Sequence, residues 1–504
     1  MQNSSSTTLN SGFVLTRQSL DRQGKIFITL WIKTVDGPVK LEIDDQQAIF
    51  FVEQEFANNA LLLLEKANVN VAEIKPLPLK TFDQKVVSGI YLNSLRDFYS
   101  ARDCLKQHNI KCYEDDFRPD ERYLMERYIT ADLEFIGNPV NRHGYTQFRQ
   151  VKCKPIDKAQ SKIKLDMVSL DIECSMAGDL YSIGLYSDTY QCVFMIGPKQ
   201  FNTELKDSEE DYIVWVKNEK ELLEALLSWV NEYDPDLFIG WNVINFDFDL
   251  LQKRYDLHNI KFAIGRDGSN PYWRKNRNSE QKYIEIAGRV VLDGIDLLKS
   301  ATYNFPSFSL DNVANTLLGV GKKVDDVDNR LKEITDNFNH NKPALAAYNL
   351  EDCRLVWLIF EKTELLQFAM LRAQLTGLEI NRVGGSVAAF TNLYLPKLHR
   401  SGYVAPNMGD GDSDLISPGG YVMDSIPGLY DNVLVLDFKS LYPSIIRTFN
   451  IDPMGLIEGL LELEKTKFEQ VSSQPIQGFD GAYFSRDKHF LPEIIKTLWQ
   501  ERDK

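Results

Sequence analysis

Asp171 and Glu173 stand two residues apart in Ser169-Leu-Asp-Ile-Glu-Cys, at the end of the short apolar run Leu165–Cys174. Such a run predicts a strand, and residues two apart in a strand project from the same face. Two hard oxygen ligands side by side suit Mg²⁺ or Mn²⁺. A pair of such ions about 3.5–4 Å apart can activate an attacking water and stabilise the leaving oxygen of a phosphodiester. Alone the pair says little: with 72 acidic residues in 504, chance gives about ten pairs at this spacing.

Two further acidic positions give it company. In Ile239-Gly-Trp-Asn-Val-Ile-Asn-Phe-Asp-Phe-Asp-Leu, Gly240 lets the backbone turn closely after a strand over Leu237–Trp241. Asn242 and Asp247 then fall where a loop enters a helix, with Phe246 as a wedge near a substrate. The plainer alternative makes Asp247 or Asp249 a helix cap. Tyr348 and Asp352 are four apart on a helix predicted over Pro343–Phe368, hence on one face. Asn341 can cap that helix and Pro343 suits its first turn. A phenol one turn from a metal-binding carboxylate can hold the attacking water by hydrogen bond while the metal lowers the water's pKa. The plainer alternative is a surface Tyr and an Asp paired with Arg354 or a neighbour. Further on, Val433-Leu-Val-Leu-Asp-Phe-Lys-Ser-Leu-Tyr-Pro-Ser-Ile reads as a buried strand, Leu434–Phe438, delivering Asp437. A helix follows from about Ser440, and its free backbone N–H groups can face a triphosphate.

The elements around these residues divide the chain in three. Residues 1–160 mix strands (Phe13–Thr16, Lys25–Val35, turning at Asp36-Gly37-Pro38) with helices (Ala57–Ala67, and Ser94–His108 with Ser94 as cap). Residues 161–375 alternate strands with helices, including Lys220–Tyr233, as an α/β layer domain does. Residues 376–504 open on loop signals such as Val383-Gly-Gly-Ser, Ser417-Pro-Gly-Gly and Pro427-Gly. With 43% hydrophobic and 26% charged residues the composition is that of a soluble globular protein. The start of the chain has neither the basic residues nor the apolar run of a secretory signal, no stretch is apolar enough to span a bilayer, and a cytoplasmic location is expected. Six scattered cysteines without a Cys-x-x-Cys pair argue for reduced thiols rather than a zinc ribbon or disulfide framework. A net charge of −15 excludes a uniformly basic nucleic-acid coat. Locally, however, Arg142–Lys164 holds seven Lys/Arg against one Asp, and Lys253–Arg289 nine against four acidic residues, with Tyr272 and Trp273 beside Arg274, Lys275 and Arg277. Basic stretches with aromatics suit a single-stranded nucleic-acid path, although taken alone such a stretch is more often a solvated loop.

Taken together, the acidic stations resemble the exonuclease domain of family B DNA polymerases, which implies a ribonuclease H-like fold and two Mg²⁺ or Mn²⁺ ions. The resemblance assigns Asp171, Glu173 and Asp352 to direct metal ligation, Asp247 to completing the metal shell and Tyr348 to orienting the water. Asn242 and Phe246 match positions that hold the frayed primer end. The Asp437 string is similar to the first palm motif of that family. There Asp437 is a metal ligand, Ser440 and Leu441 lie at the nucleotide, and Tyr442 packs under the incoming sugar. Ser417-Pro-Gly-Gly-Tyr-Val resembles the hinge between exonuclease and polymerase parts, with Gly419, Gly420 and Tyr421 against DNA. The wording of Asp116-Phe-Arg-Pro-Asp-Glu-Arg-Tyr-Leu-Met-Glu-Arg-Tyr-Ile-Thr is most like a bacterial branch of that family.

The fold expected is thus an α/β multidomain one: a mixed N-terminal domain, a ribonuclease H-like 3′-5′ exonuclease domain, and a linker with an incomplete palm and the start of the fingers. The resemblance implies a proofreading polymerase of replication, repair and lesion bypass. Its partners would be single-stranded and primer-template DNA, deoxynucleoside triphosphates and a sliding clamp, near the nucleoid and away from membranes. Neither the nucleotide-gripping helix motif nor the Tyr-Gly-Asp-Thr-Asp-Ser hairpin appears. Asp410-Gly-Asp-Ser-Asp precedes Asp437 and lacks flanking strand residues, so it does not replace that hairpin. The expectation is that this chain degrades DNA without extending a primer. A stand-alone exonuclease and a non-catalytic DNA-binding scaffold are the alternatives.

Overall fold

The computed structural model describes residues 9–156, 163–199, 211–275, 280–320, 327–410, 422–466 and 474–502. The chain divides into two compact units, one of Met1–Leu20, Phe27–Asp44 and Arg127–Ala389, the other of Asp21–Ile26, Asp45–Glu126 and Phe390–Lys504. In the first unit, Asn10–Arg22, Lys25–Thr34, Gly37–Gln46, Thr146–Pro155 and Asp132–Asn141 pair in that order into a closed barrel. Ile28, Leu30 and Ile32 alternate along one strand and fill its interior. Gly37, at φ 118°, makes the turn that Asp36-Gly37-Pro38 signals.

The same unit holds a six-stranded sheet of β1 (Met167–Cys174), β2 (Leu180–Tyr186), β3 (Gln191–Ile196), β4 (Ile213–Val216), β5 (Leu237–Gly240) and β6 (Val290–Asp293), in the order β4-β3-β2-β1-β5-β6. β1 runs antiparallel to β2 and parallel to β5. Both faces are covered, so the strands read as apolar runs rather than clean alternations. Val168, Leu170 and Ile172 pack with Leu222, Leu226 and Val230 of α1 (Glu219–Tyr233) and Leu251 and Tyr255 of α2 (Asp249–Leu257). Met167, Leu237 and Leu292 pack on the other face with Leu355, Val356 and Ile359 of α3 (Lys342–Thr363). The period-two rule therefore turns Asp171 and Glu173 toward α3.

The Asn341 side chain accepts the Ala344 N–H, and Pro343 sits in the first turn of α3, as expected. The helix does not run on to Phe368. Glu364 adopts the left-handed conformation, φ 51°, ending α3 before α4 (Leu365–Thr376) begins. No Gly or Pro marks that break.

In the second unit, Val71–Lys80, Val86–Leu92, Ala48–Glu53 and Cys112–Tyr113 pair in that order. Helices Ala57–Lys66 and Leu95–Gln107 accompany them, and the Ser94 Oγ accepts the Asp97 N–H at 3.0 Å. Later come α5 (Ser386–Arg400), which belongs to this unit from Phe390 on, α6 (Leu441–Phe449) and α7 (Leu491–Arg502). The strand expected over Leu434–Phe438 is not formed: Val435 and Leu436 are each 89% exposed. β-branched residues supply propensity, but a strand needs a ladder partner and a surface to bury. Among the described residues this segment has neither.

Candidate active site and metal centre

β1 outruns its neighbour. Met167–Ser169 pair with Leu237–Ile239 of β5, after which β5 ends at Gly240 and the chain turns away. The turn is tight: a Cβ on Gly240 would lie 2.6 Å from the Val243 side chain. It passes Asn242, at φ 57°, into one wide turn, Ile244–Phe248, closed by the Phe248 N–H on the Val243 carbonyl five residues back, 2.9 Å. Such widened turns recur at functional sites. This one aims Asp247 back at β1, where its Oδ1 accepts the Ile172 N–H, 3.1 Å, just beyond the reach of the β5 ladder. Asp247 is therefore no helix cap, and Asp249 is none either: it pairs with Lys253 and Lys282.

Across β1, α3 brings Asp352 to Asp171 and Glu173, and one ligand oxygen from each lies within 4.8 Å of the others. Glu173, Asp247 and Asp352 are buried and Asp171 half-buried. Tyr348 is half-buried one turn before Asp352. The pairing of Asp352 with Arg354 is not what forms; Arg354 bonds Glu351 at 2.8 Å. Burial first, then the charge of Asp171, pushes the Asp247 carboxyl well above the usual carboxylate range, against the pull of the Ile172 N–H. Crowded, partly buried oxygen ligands of like charge are the donor set a hard divalent cation stabilises. Thiol chemistry has no place here, since burial and the surrounding carboxylates push Cys174 up to about 12 and Cys353 well above its ordinary value. All six cysteines are free of disulfides.

One residue the sequence reading passed over, Asn349, touches this cluster, and a second, Ser182, bonds to it. Asn349 Nδ2 donates to Asp171 Oδ2 at 2.7 Å, and its Oδ1 accepts the Ser182 hydroxyl at 2.9 Å. Asn242 is exposed and Phe246 is 47% exposed, on the rim beside Asp247. A hairpin of Tyr272–Lys275 and Lys282–Glu285 is tied to the wide turn through Asn245, whose Oδ1 accepts the Lys282 N–H at 2.9 Å. The hairpin and its surroundings carry most of the basic stretch, whose cations are largely matched locally: Arg254 by Glu219, Arg266 by Asp234 and Asp236, Arg274 by Glu285, Lys275 by Glu280. Tyr272 and Tyr283 are exposed beside these pairs.

The remaining expected site residues fall in the second unit or outside the described residues. Asp437 is exposed and on no strand. Ser440, at φ 56°, precedes the first turn of α6 and its Oγ accepts from Arg502 at 2.8 Å. Leu441 opens α6, and Tyr442 beside it is exposed. Gly419, Gly420 and Tyr421 lie outside the described residues, as do residues 411–414 of the Asp410 string.

Known proteins resemble this chain. Residues 110–313 match the family described as DNA polymerase family B, exonuclease domain, and residues 383–504 match DNA polymerase family B. The chain is 42% identical over 495 residues to DNA polymerase II of Escherichia coli (strain K12), covering 98% of this chain and 61% of that protein. It is 27% identical over 528 residues to a DNA polymerase of Thermococcus sp. (strain 9oN-7), covering 97% and 60%. The chain thus spans about three fifths of the length of these relatives. The structure of the family B DNA polymerase from Pyrobaculum calidifontis shares the fold, with a TM-score of 0.75 at 18% identity, over 98% of this chain and 63% of that one.

Proposed function

The chain belongs to DNA polymerase family B, and on that premise we propose that its acidic centre is a 3′-5′ exonuclease site acting on single-stranded or frayed DNA. The observation that carries the reading is the convergence of Asp171, Glu173 and Asp352 within 4.8 Å. Asp171, Glu173 and Asp352 would hold two Mg²⁺ or Mn²⁺ ions, with Asp247 completing the shell. Bound divalent cations lower the pKa of the attacking water and stabilise the leaving 3′ oxygen. The Tyr348 phenol accepts or donates one hydrogen bond to that water and sets its line of attack on the terminal phosphodiester. Phe246 and Asn242, exposed on the rim, meet the terminal nucleotide: the ring offers a face for base stacking and the amide a polar contact. Water attacks phosphorus, the bond to the penultimate 3′ oxygen breaks, and a 5′-nucleotide leaves.

For the whole protein, we propose a DNA polymerase II type enzyme of replication, repair and lesion bypass, organised as 1–160, 161–375 and 376–504. Asp437 would ligate a catalytic metal, Ser440, Leu441 and Tyr442 would meet the deoxynucleoside triphosphate, and Gly419, Gly420 and Tyr421 would lie along primer-template DNA. A sliding clamp is the expected partner, in the cytoplasm at the nucleoid. Among the described residues no helix is long and apolar enough to cross a membrane. The test is digestion of 5′-labelled single-stranded DNA with and without Mg²⁺, beside a primer-template with all four deoxynucleotides. Stepwise, metal-dependent shortening is expected, and Asp171→Ala or Asp352→Ala should abolish it. Undiminished cleavage by either variant would sink the assignment, and metal-independent DNA binding without cleavage would favour a scaffold.

A further inference from the structure

Asp171 on β1 stands opposite Gly184 on β2 in the antiparallel register. Glycine leaves a space there that a side chain would close: a Cβ on Gly184 would stand 2.9 Å from Cys353 Sγ and 3.0 Å from Asn349 Cγ and Oδ1. α3 sends the fully buried Asn349 into that space. Its amide bridges Asp171, at 2.7 Å, and the fully buried Ser182, at 2.9 Å. Ser182 and Gly184 share one face of β2. Chemistry fixes which way the amide points. An ionised carboxylate only accepts, so the amino group must face Asp171 and the carbonyl is left to take the serine proton.

We infer that Asn349 is a positioning residue for the metal-binding carboxylate Asp171, itself held in place by Ser182. The inference rests on the exonuclease reading above. A leucine would fill the same volume without the cost of burying an amide, so packing does not call for asparagine here. What asparagine adds is a charge-assisted hydrogen bond to one oxygen of Asp171, which restricts rotation of the carboxylate about χ2 and leaves the other oxygen to the cluster. Ser182 matters because an amide tethered at one end only could swing away from Asp171. Partners that orient a ligating carboxylate in this way typically contribute about 10–100-fold in metal affinity or activity. The absent side chain at Gly184 belongs to the same device, since it is the space in which the relay fits.

The experiment is a calorimetric Mn²⁺ titration of the whole chain without DNA, beside cleavage of 5′-labelled single-stranded DNA over a range of Mn²⁺ concentrations. Asn349→Leu, close in volume and lacking the donor, should weaken Mn²⁺ binding about 10–100-fold. It should move half-saturating Mn²⁺ for cleavage by the same factor, with kcat largely recovered at saturating Mn²⁺. Ser182→Ala should shift both in the same direction by less, and the double variant should be no worse than Asn349→Leu alone, because Ser182 acts through Asn349. Additive losses overturn the part given to Ser182. Wild-type chain that binds Mn²⁺ and cleaves, with Asn349→Leu within twofold of it, overturns the relay and leaves the exonuclease reading standing. Wild-type chain that neither binds Mn²⁺ nor cleaves overturns both. Should Asn349→Leu fail to fold, Ser182→Ala decides, and an unchanged Mn²⁺ affinity there refutes the relay.

Discussion

Tyr348 and Asp352 show what a single turn of helix accomplishes: the phenol and the carboxylate share a face of α3, and Asp352 meets Asp171 and Glu173 at the end of β1. Their tasks differ in kind. On the exonuclease reading Asp352 would share a cation with Asp171 and Glu173, whose ligand atoms lie within 4.8 Å of its own, so its loss would remove a ligand outright. The phenol would contribute one hydrogen bond to the attacking water, and a hydrogen bond to a charged or developing-charge group contributes about 1.5–3 kcal/mol. Tyr348→Phe is accordingly expected to lower kcat about 10- to 100-fold while KM for single-stranded DNA stays near wild type. Single-turnover cleavage with the DNA affinity measured separately checks it; a loss confined to KM would assign Tyr348 to substrate binding.

At the scale of elements, the position of Asp247 depends on how abruptly β5 ends. Gly240 has no room for a methyl group, because its Cβ would meet Val243 Cβ and Cγ2 at 2.6 Å and the Leu170 carbonyl oxygen at 2.9 Å. The carbonyl belongs to β1 and cannot yield without disturbing the ladder that carries Asp171. Gly240→Ala should therefore destabilise by about 1–3 kcal/mol, as overpacking does. It should also slow cleavage by moving Asp247 off the Ile172 N–H. A lowered melting temperature with full exonuclease rate would show that the turn and the site are uncoupled. Features of this local kind were legible in the sequence: period-two carboxylates, a glycine before a turn, Ser94 and Asn341 as caps. The break at Glu364 was not, because an ordinary residue held left-handed leaves no compositional trace. Asn349 was not either, since an amide among apolar helix residues acquires meaning only once α3 is known to cross β1 and β2 with Gly184 beneath it. At Leu434–Phe438 the sequence supplied the propensity of a strand, and the missing term was the partner that propensity cannot supply.

On the scale of the whole molecule, stability depends on pH through a site far in sequence from the acidic centre. In the second unit both ring nitrogens of His399 face carboxylates, Nε2 to Glu114 Oε1 at 2.8 Å and Nδ1 to Glu126 Oε1 at 2.5 Å. Arg122 and the Ala405 N–H also bind Glu114, and Arg400 binds Glu126. Two acceptors around one imidazole require two N–H donors, hence the cation. Burial lowers the pKa of His399, but the hydrogen bonds to Glu114 and Glu126 outweigh it and raise it to about 9, from 6.5. Burial likewise works against both carboxylates, and their bonds from His399 together with Arg122 hold them below the usual range. A group whose folded pKa is raised contributes stability fully present below its unfolded value and lost as pH climbs through the folded one. The His399 contribution is thus complete below about pH 6.5 and gone above about pH 9, on the order of 3 kcal/mol over that interval. The two glutamates behave oppositely, losing their contribution as pH falls below the ordinary glutamate range. Greatest stability from this cluster lies near pH 5–6.5. A chain of net charge −15 also repels itself more as pH rises, so the wild-type curve alone does not isolate the cluster. The difference between wild type and His399→Gln does. That difference should be largest near pH 6 and shrink toward pH 9.5 in denaturant unfolding, whereas parallel curves across the range would mean that His399 is not charged in the folded protein.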